Sequence, residues 1–397
     1  MSETRAAEGT GSGIDRTLFV SVILLLGLGI VMVYSASAVR AAHEQNDPAF
    51  FLIRQTIYAV VGITVMLIGA CIDYNIYKKF IYPFFGLAII GLILCHTPIG
   101  RTVNGASRWI GVGPVNFQPS EAVKLALVLW LSYSLAKKSD KIKSFSVGFL
   151  PHLLVPGFVI VLCLLQPDFG TSVVLAIVTF TLLFVAGAKL GYMMLACMGA
   201  APIAYYLVAG SEYRLNRILA FLDPISNRYE HGYQLTQSLF GFGAGGLWGV
   251  GLGDGLQKLF FLPEAHNDFV ASIIAEELGA VGVWLMLTIY CVVVARGVMI
   301  ALRAPDEFGT YVGFGITVLI GVQVLANLGV TMGLLPTKGL NLPFISYGGS
   351  SLVMSLFAIG VMLNISRPRN EEPRVKESGS LQNNSRRPAV VAEAGKA

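Results

Sequence analysis

The sequence predicts an all-α fold: a polytopic membrane protein with about ten transmembrane helices and one long loop on its outer side. Three observations carry this. Hydrophobic residues make up 55% of the chain and charged ones only 13%, against about 25% charged in an average soluble domain. The missing charge is concentrated in blocks of about 20 residues, the length a helix rising about 1.5 Å per residue needs to cross about 30 Å of hydrocarbon. No ten-residue alternation of the barrel kind is present, and a backbone in lipid must satisfy its own amides, so the blocks are helices.

The spans fall at 17–38, 51–71, 80–96, 118–136, 146–165, 169–187, 190–209, 269–296, 309–331 and 343–365. Pro83, Pro156, Pro202 and Gly321 lie inside them, which a bundle tolerates because neighbouring helices re-satisfy freed backbone groups. Ser-Ala-Ser-Ala at 35–38 imitates a signal-peptide cleavage site. Yet Arg5 and Arg16 are offset by Glu3, Glu8 and Asp15, and the apolar run exceeds a usual h-region, so the first span is read as a helix that stays.

Lysine and arginine set the orientation. With both termini inside, the short inner loops hold Lys78, Lys79, Lys137, Lys138, Lys141, Lys143, Lys189, Arg296 and Arg303. The short outer loops hold only Arg40, Arg101, Arg108 and Lys338. The net charge of +5 therefore reflects topology and gives no reason to expect nucleic acid. A tail at 1–16, a membrane domain at 17–366 and a tail at 367–397 follow; the stretches 1–13 and 367–397 are polar, rich in small residues and expected to be disordered. The five cysteines lie in or beside apolar blocks without CxxC spacing and read as packing residues.

Between the seventh and eighth spans, residues 210–268 form an outer loop far longer than the usual connection of about 4–6 residues. It joins amphipathic stretches at 234–242 and 256–262 to a glycine-rich centre at 241–255. Gly241, Gly243 and Gly246 fit G-x-G-x-x-G formally, but no strand precedes them and no acidic ribose ligand follows in a βαβ unit. These glycines are expected to let the loop turn and pack closely on the bundle.

The loop ends in "LPEAHNDF", with Glu264, His266 and Asp268 before the eighth span. Asp268 suits a helix N-cap or a general base at the membrane surface, and the two roles are compatible. His266 reads as an exposed, structural histidine or a weaker site candidate. No dense ligand set points to a metal. In "FQPSEAVKL" Glu121 and Lys124 share a helix face, as a mutual ion pair or as a cation holding an anionic headgroup. "RTVNGASRW" adds Arg101 and Arg108, "QPDFGT" adds Gln166 and Asp168, and "LPTKGLNLPFISYGGSS" adds Lys338 and Ser346. All of these lie toward the outer side, and basic groups beside acidic ones in an apolar wall suit a substrate with a phosphate and an oily tail.

"QPSEAVK" at 118–124, "QPDFGT" at 166–171, "PEAHNDF" at 263–269, "AEELG" at 275–279 and "LPFISYGGSS" at 342–351 resemble the SEDS family of bacterial cell-wall polymerases over about 17–366. Thr-Lys-Gly at 337–339 and Ala265 resemble its division branch, typified by FtsW, more than the elongation branch of RodA. Asn267 departs from the threonine frequent before the key aspartate.

The resemblance implies a bacterial inner-membrane protein at the division septum, with the 210–268 loop periplasmic. Its activity would be a peptidoglycan glycosyltransferase joining lipid II into β-1,4 glycan, with Asp268 as the base. Glu121, Lys124, Arg101, Arg108, Gln166, Asp168, Glu264, His266, Lys338 and Ser346 are the substrate-binding candidates. No cofactor is required by this reading; dependence on a divalent cation stays open. The implied partners are membrane lipid, lipid II, a class B penicillin-binding transpeptidase (FtsI-like), and other divisome proteins of the FtsQ/FtsL/FtsB and FtsN kinds. A lipid II flippase and a non-catalytic divisome scaffold are the alternatives. The clustering of polar motifs at one face, without an evident inverted repeat, favours surface chemistry over transport.

Overall fold

A computed structural model describes residues 13–103, 106–112, 115–230 and 232–368. Most of the two predicted tails, at 1–12 and 369–397, lies outside them. Helices dominate, as expected. Residues α1 (Arg16–Gln45), α2 (Phe50–Cys71) and α3 (Tyr74–Leu94) lead to a small sheet of β1 (Gly100–Val103), β2 (Ala106–Val112) and β3 (Val115–Phe117). There follow α4 (Pro119–Lys137), α5 (Leu150–Leu165), α6 (Phe169–Val185), α7 (Leu190–Ala209), α8 (Glu212–Leu222) and α9 (Tyr233–Gly245). The last three are α10 (Val270–Leu302), α11 (Glu307–Thr331) and α12 (Gly349–Ile365).

Each predicted span coincides with a helix, with instructive shifts. Seven helices among the described residues are long and apolar enough to cross a membrane; α6 and α12 are apolar but shorter. The helix α4 falls outside both groups because Glu121 and Lys124 sit in its first turns, yet it is buried along almost its whole length, against α3, α6 and α11. The tenth span begins at Gly349 and not at 343, since 343–348 forms an irregular turn. A single π-helical turn at Phe145–Phe149 starts the fifth. The segment 100–117 was expected to be a loop and is an antiparallel sheet in the order β1-β2-β3. The helix α7 buries none of its described side chains, and α8 is its chief neighbour.

The long loop is helical at α8 and α9 and is fastened to α10. Gly279 has φ +66° and breaks α10, leaving carbonyls above the break without their in-helix donors. Val250 N–H donates to Glu276 O (2.9 Å) and Gly251 N–H to Glu277 O (3.1 Å). In return Ala280 N–H donates to Gly246 O (2.9 Å) and Val281 N–H to Leu247 O (3.2 Å). So close an exchange needs glycine, because a Cβ on Gly279 would lie 2.3 Å from Gly249 N. The glycine-rich centre thus packs backbone to backbone, as its composition predicted.

The two carboxylates of "AEELG" complete the fastening. Glu276 accepts from Leu256 N–H (2.8 Å). Glu277 is paired with Lys258 (2.7 Å) and accepts from Ser35 Oγ of α1 (2.7 Å). The Lys258–Glu277 pair is almost wholly buried, a situation that costs desolvation and holds only while both partners are present.

Candidate active site at the loop end

Four segments far apart in sequence meet at the end of the bundle that carries 210–268. The first is the turn before α6. Gln166 Nε2 donates to Leu92 O (2.8 Å), while its buried Oε1 has no partner among the described residues. Arg108 reaches from β2 to donate to Gln166 O (3.0 Å) and Pro167 O (2.6 Å). Asp168 is the N-cap of α6, its Oδ1 accepting from Thr171 N–H (3.2 Å). It answers one of the free amides that every helix start exposes. Arg101, its neighbour in the sequence motif, stays exposed on the sheet and donates to Asn116 Oδ1 (2.9 Å).

The second segment is the loop between α11 and α12. Its Lys338 ammonium stands 4.1 Å from the centre of the Phe169 ring, a favourable place for a cation. Burial pushes this lysine down to about 7, with Arg217, Arg108 and Arg214 acting in the same direction and Asp168 opposing them. Ser346, in the same loop, accepts from Leu342 N–H (2.8 Å) and so shapes the turn from within.

The third segment, 263–269, carries the central residue. Asp268 was weighed as an N-cap of the eighth span, but Phe269 occupies that position and no side chain caps α10. The carboxylate of Asp268 has no hydrogen-bond or ion-pair partner among the described residues. The chain is instead held by Asn327 of α11, whose Nδ2 donates to Asp268 O (2.8 Å) and Leu340 O (2.6 Å). The carboxylate keeps some exposed surface but is closely ringed by protein. This loss of solvation, with Glu264 and Asp168 adding to it and Arg108 and Arg217 opposing, pushes its pKa up to about 7. Gly339 lies directly over the group: a Cβ there would sit 2.6 Å from Asp268 Oδ2.

His266 departs from the exposed position expected of it. It is buried between the rings of Phe51 (4.7 Å) and Tyr347 (5.6 Å), and burial lowers its pKa to about 4, so the ring is neutral at pH 7. Glu264 faces Arg40 of α1 at 3.6 Å. The fourth segment is α8, whose Arg217 donates to Thr337 O (3.0 Å), next to Lys338.

Asp168, Asp268, Lys338 and Arg108 therefore form one electrostatic cluster, with Glu264 at its edge. Glu121 and Lys124 form a second site. They are buried, pair at 2.8 Å, and line a narrow cavity with Gln323 of α11 and Ser355 of α12. Among the described residues no three or more His, Cys, Asp or Glu side chains gather as a metal site.

Four participants escaped the sequence reading: Arg214, Arg217, Asn327 and Gly339. A signal existed for three of them. Arg214 and Arg217 are three apart on one face of an amphipathic helix. Asn327 belongs to a buried polar row, Gln323, Asn327 and Thr331, spaced by four along a mainly apolar helix, and polar groups placed in a membrane span are functional candidates by default. For Gly339 only the fold supplies the reason.

Curated relatives align along nearly the whole chain. A probable peptidoglycan glycosyltransferase FtsW of Trichlorobacter lovleyi is 48% identical over 89% of this chain and 93% of its own. Stage V sporulation protein E of Bacillus subtilis is 41% identical over 89% and 97%. Among solved structures, a peptidoglycan synthase complex that coordinates polymerization and crosslinking matches with a TM-score of 0.75 and 29% identity, covering 90% of this chain and 99% of that one. The rod shape determining protein RodA of Thermus thermophilus matches with a TM-score of 0.64 and 27% identity, over 90% and 98%. Residues 16–371 match the Cell cycle protein family of FtsW, RodA and SpoVE, and the chain belongs to that family.

Proposed function

We propose that this protein is a peptidoglycan glycosyltransferase of septal cell-wall synthesis, polymerising lipid II with Asp268 as general base. The loop end then faces the periplasm and both termini the cytoplasm, in line with the lysine and arginine distribution. One observation carries the reading: a carboxylate without a hydrogen-bond or ion-pair partner among the described residues, its pKa raised to about 7, near the charges of Arg108 and Arg217.

The chemistry follows from that arrangement. The acceptor sugar hydroxyl gives its proton to Asp268 as its oxygen bonds to the donor's anomeric carbon. The bond from that carbon to the undecaprenyl pyrophosphate breaks, and the electron pair leaves with the pyrophosphate. A base with a pKa near the working pH is ionised often enough and basic enough to serve. The departing pyrophosphate is stabilised by fixed cations in a site sheltered from water. Lys338, its pKa lowered to about 7 by burial, is drawn toward the charged form by an arriving anion.

Family and fold support a class B penicillin-binding transpeptidase as the partner, since the solved match is a synthase complex that both polymerises and crosslinks. The test is lipid II polymerisation by the purified chain with its transpeptidase, comparing wild type with Asp268→Asn at matched folding. Loss of glycan with partner binding intact is expected. Full polymer from the variant overturns the assignment, and translocation of lipid II without any glycan product replaces synthesis with transport.

A further inference from the structure

We infer that the turn at Leu247 and Trp248 is an interfacial anchor that seats the long loop in the headgroup and acyl boundary of the bilayer. Both side chains are apolar and open, with Trp248 80% and Leu247 68% exposed. Exposure alone would be silent about what covers them; their place on α10 identifies it.

The break at Gly279 divides α10 into two environments. Residues 270–277 before it are buried in protein without exception. After it Val281, Trp284 and Leu285 open outward, at 47%, 67% and 63% exposure. The stretch from Gly279 to Leu302, at about 1.5 Å per residue, is about 36 Å long and crosses a hydrocarbon core of about 30 Å unaided. The lipid-facing part of α10 therefore begins at the break. A second helix gives the same level. Ser35, hydrogen-bonded to Glu277, lies about 29 Å along α1 from Arg16 by the same rise.

Leu247 and Trp248 sit at that level because their backbone is tied there, with Leu247 O accepting from Val281 N–H and Gly246 O from Ala280 N–H. That exchange sets Leu247 beside Val281, the first of the lipid-facing residues after the break. Tryptophan is the residue whose apolar body and N–H suit this boundary. The anchor fixes the depth of the loop, and with it the level of Asp268, eleven residues before the break and within about 17 Å of it if the chain between is helical.

The test is depth-resolved fluorescence of the full chain in phospholipid vesicles, with Trp248 left as sole indole by Trp109→Phe, Trp130→Phe and Trp284→Phe. Lipids brominated near the headgroup end of the acyl chain should quench Trp248 several-fold more than lipids brominated near the methyl end, with acrylamide having little effect. Strong acrylamide quenching without a bromolipid effect places the turn in water and overturns the inference. Protection from both quenchers overturns it too, and assigns the surface to a second copy or a protein partner. If the triple variant does not fold, the difference in quenching between the native chain and Trp248→Phe gives the same comparison. The readout is independent of turnover, so its failure leaves the polymerase reading standing.

Discussion

Asp168 and Asp268 look alike in sequence and are opposites in the fold. Each lies in a short polar motif at the start of an apolar helix, Asp168 directly before Phe169 of α6 and Asp268 two residues before Val270 of α10. Asp168 caps its helix through Thr171 N–H. Asp268 caps nothing, because its backbone is taken by Asn327 and its side chain is turned loose among cations. The difference teaches that a carboxylate before a helix acquires its role from what the rest of the chain brings beside it. The largest effect that can break the contrast is on turnover. Asp268→Asn should lower glycan polymerisation by about 10²- to 10⁴-fold, the usual contribution of a positioned base.

Stability should move the other way. A carboxyl raised from its unfolded value to about 7 contributes stability at low pH that is lost as pH rises through 7. The neutral amide of Asp268→Asn has no charge to desolvate, so this variant should melt higher than wild type above pH 7 and lose that part of the pH dependence. A lower melting temperature at pH 8 would return Asp268 to a structural role.

The rate profile sharpens the same point. Asp268 must lose a proton and Lys338 must keep one, and both groups titrate near 7. The free enzyme's kcat/KM should therefore be bell-shaped and narrow around neutrality. Lys338→Arg should remove the alkaline limb, since a guanidinium stays charged throughout that range. An unchanged alkaline limb in this variant would take Lys338 out of the reaction.

Gly339→Ala tests the openness of the carboxylate more gently. The backbone at Gly339 is not in the left-handed region, so alanine is tolerated conformationally. Its methyl, however, would meet Asp268 Oδ2 at 2.6 Å and force the carboxylate aside. Displacements of this size in a reacting group cost about 10- to 100-fold, and the melting temperature should change little. Equal turnover in Gly339→Ala would show that the carboxylate has room to work elsewhere.

Much of this was legible from the sequence, and the boundary has physical causes. Helix positions were readable because hydropathy is local: the ten apolar blocks are ten helices. The break at Gly279 was hidden, since it exists only where Gly246 to Gly251 exchange hydrogen bonds with α10. The sheet at 100–117 was missed because β1 and β3 have only four and three residues and the seven-residue β2, ASRWIGV, does not alternate. Asp268 itself was readable as cap or base, and the choice lay with Asn327, 59 residues later, and Gly339. The polar row of α11 marked Asn327 as a candidate, but local pattern does not say which residue it would hold.

The smallest effect decides whether the two aspartates are separate devices. Asp168→Ala removes a cap, a loss of about 1 kcal/mol for groups of this kind. If capping were all that Asp168 did, the shape of the rate profile would be unchanged. The negative charge of Asp168, however, raises the pKa of both Asp268 and Lys338. Its removal lets Asp268 ionise at lower pH and lets Lys338 lose its proton at lower pH, so both limbs of the bell should move toward acid together. A profile that weakens without moving would confine Asp168 to its helix. One that shifts as a unit shows that the capped carboxylate also tunes the open one.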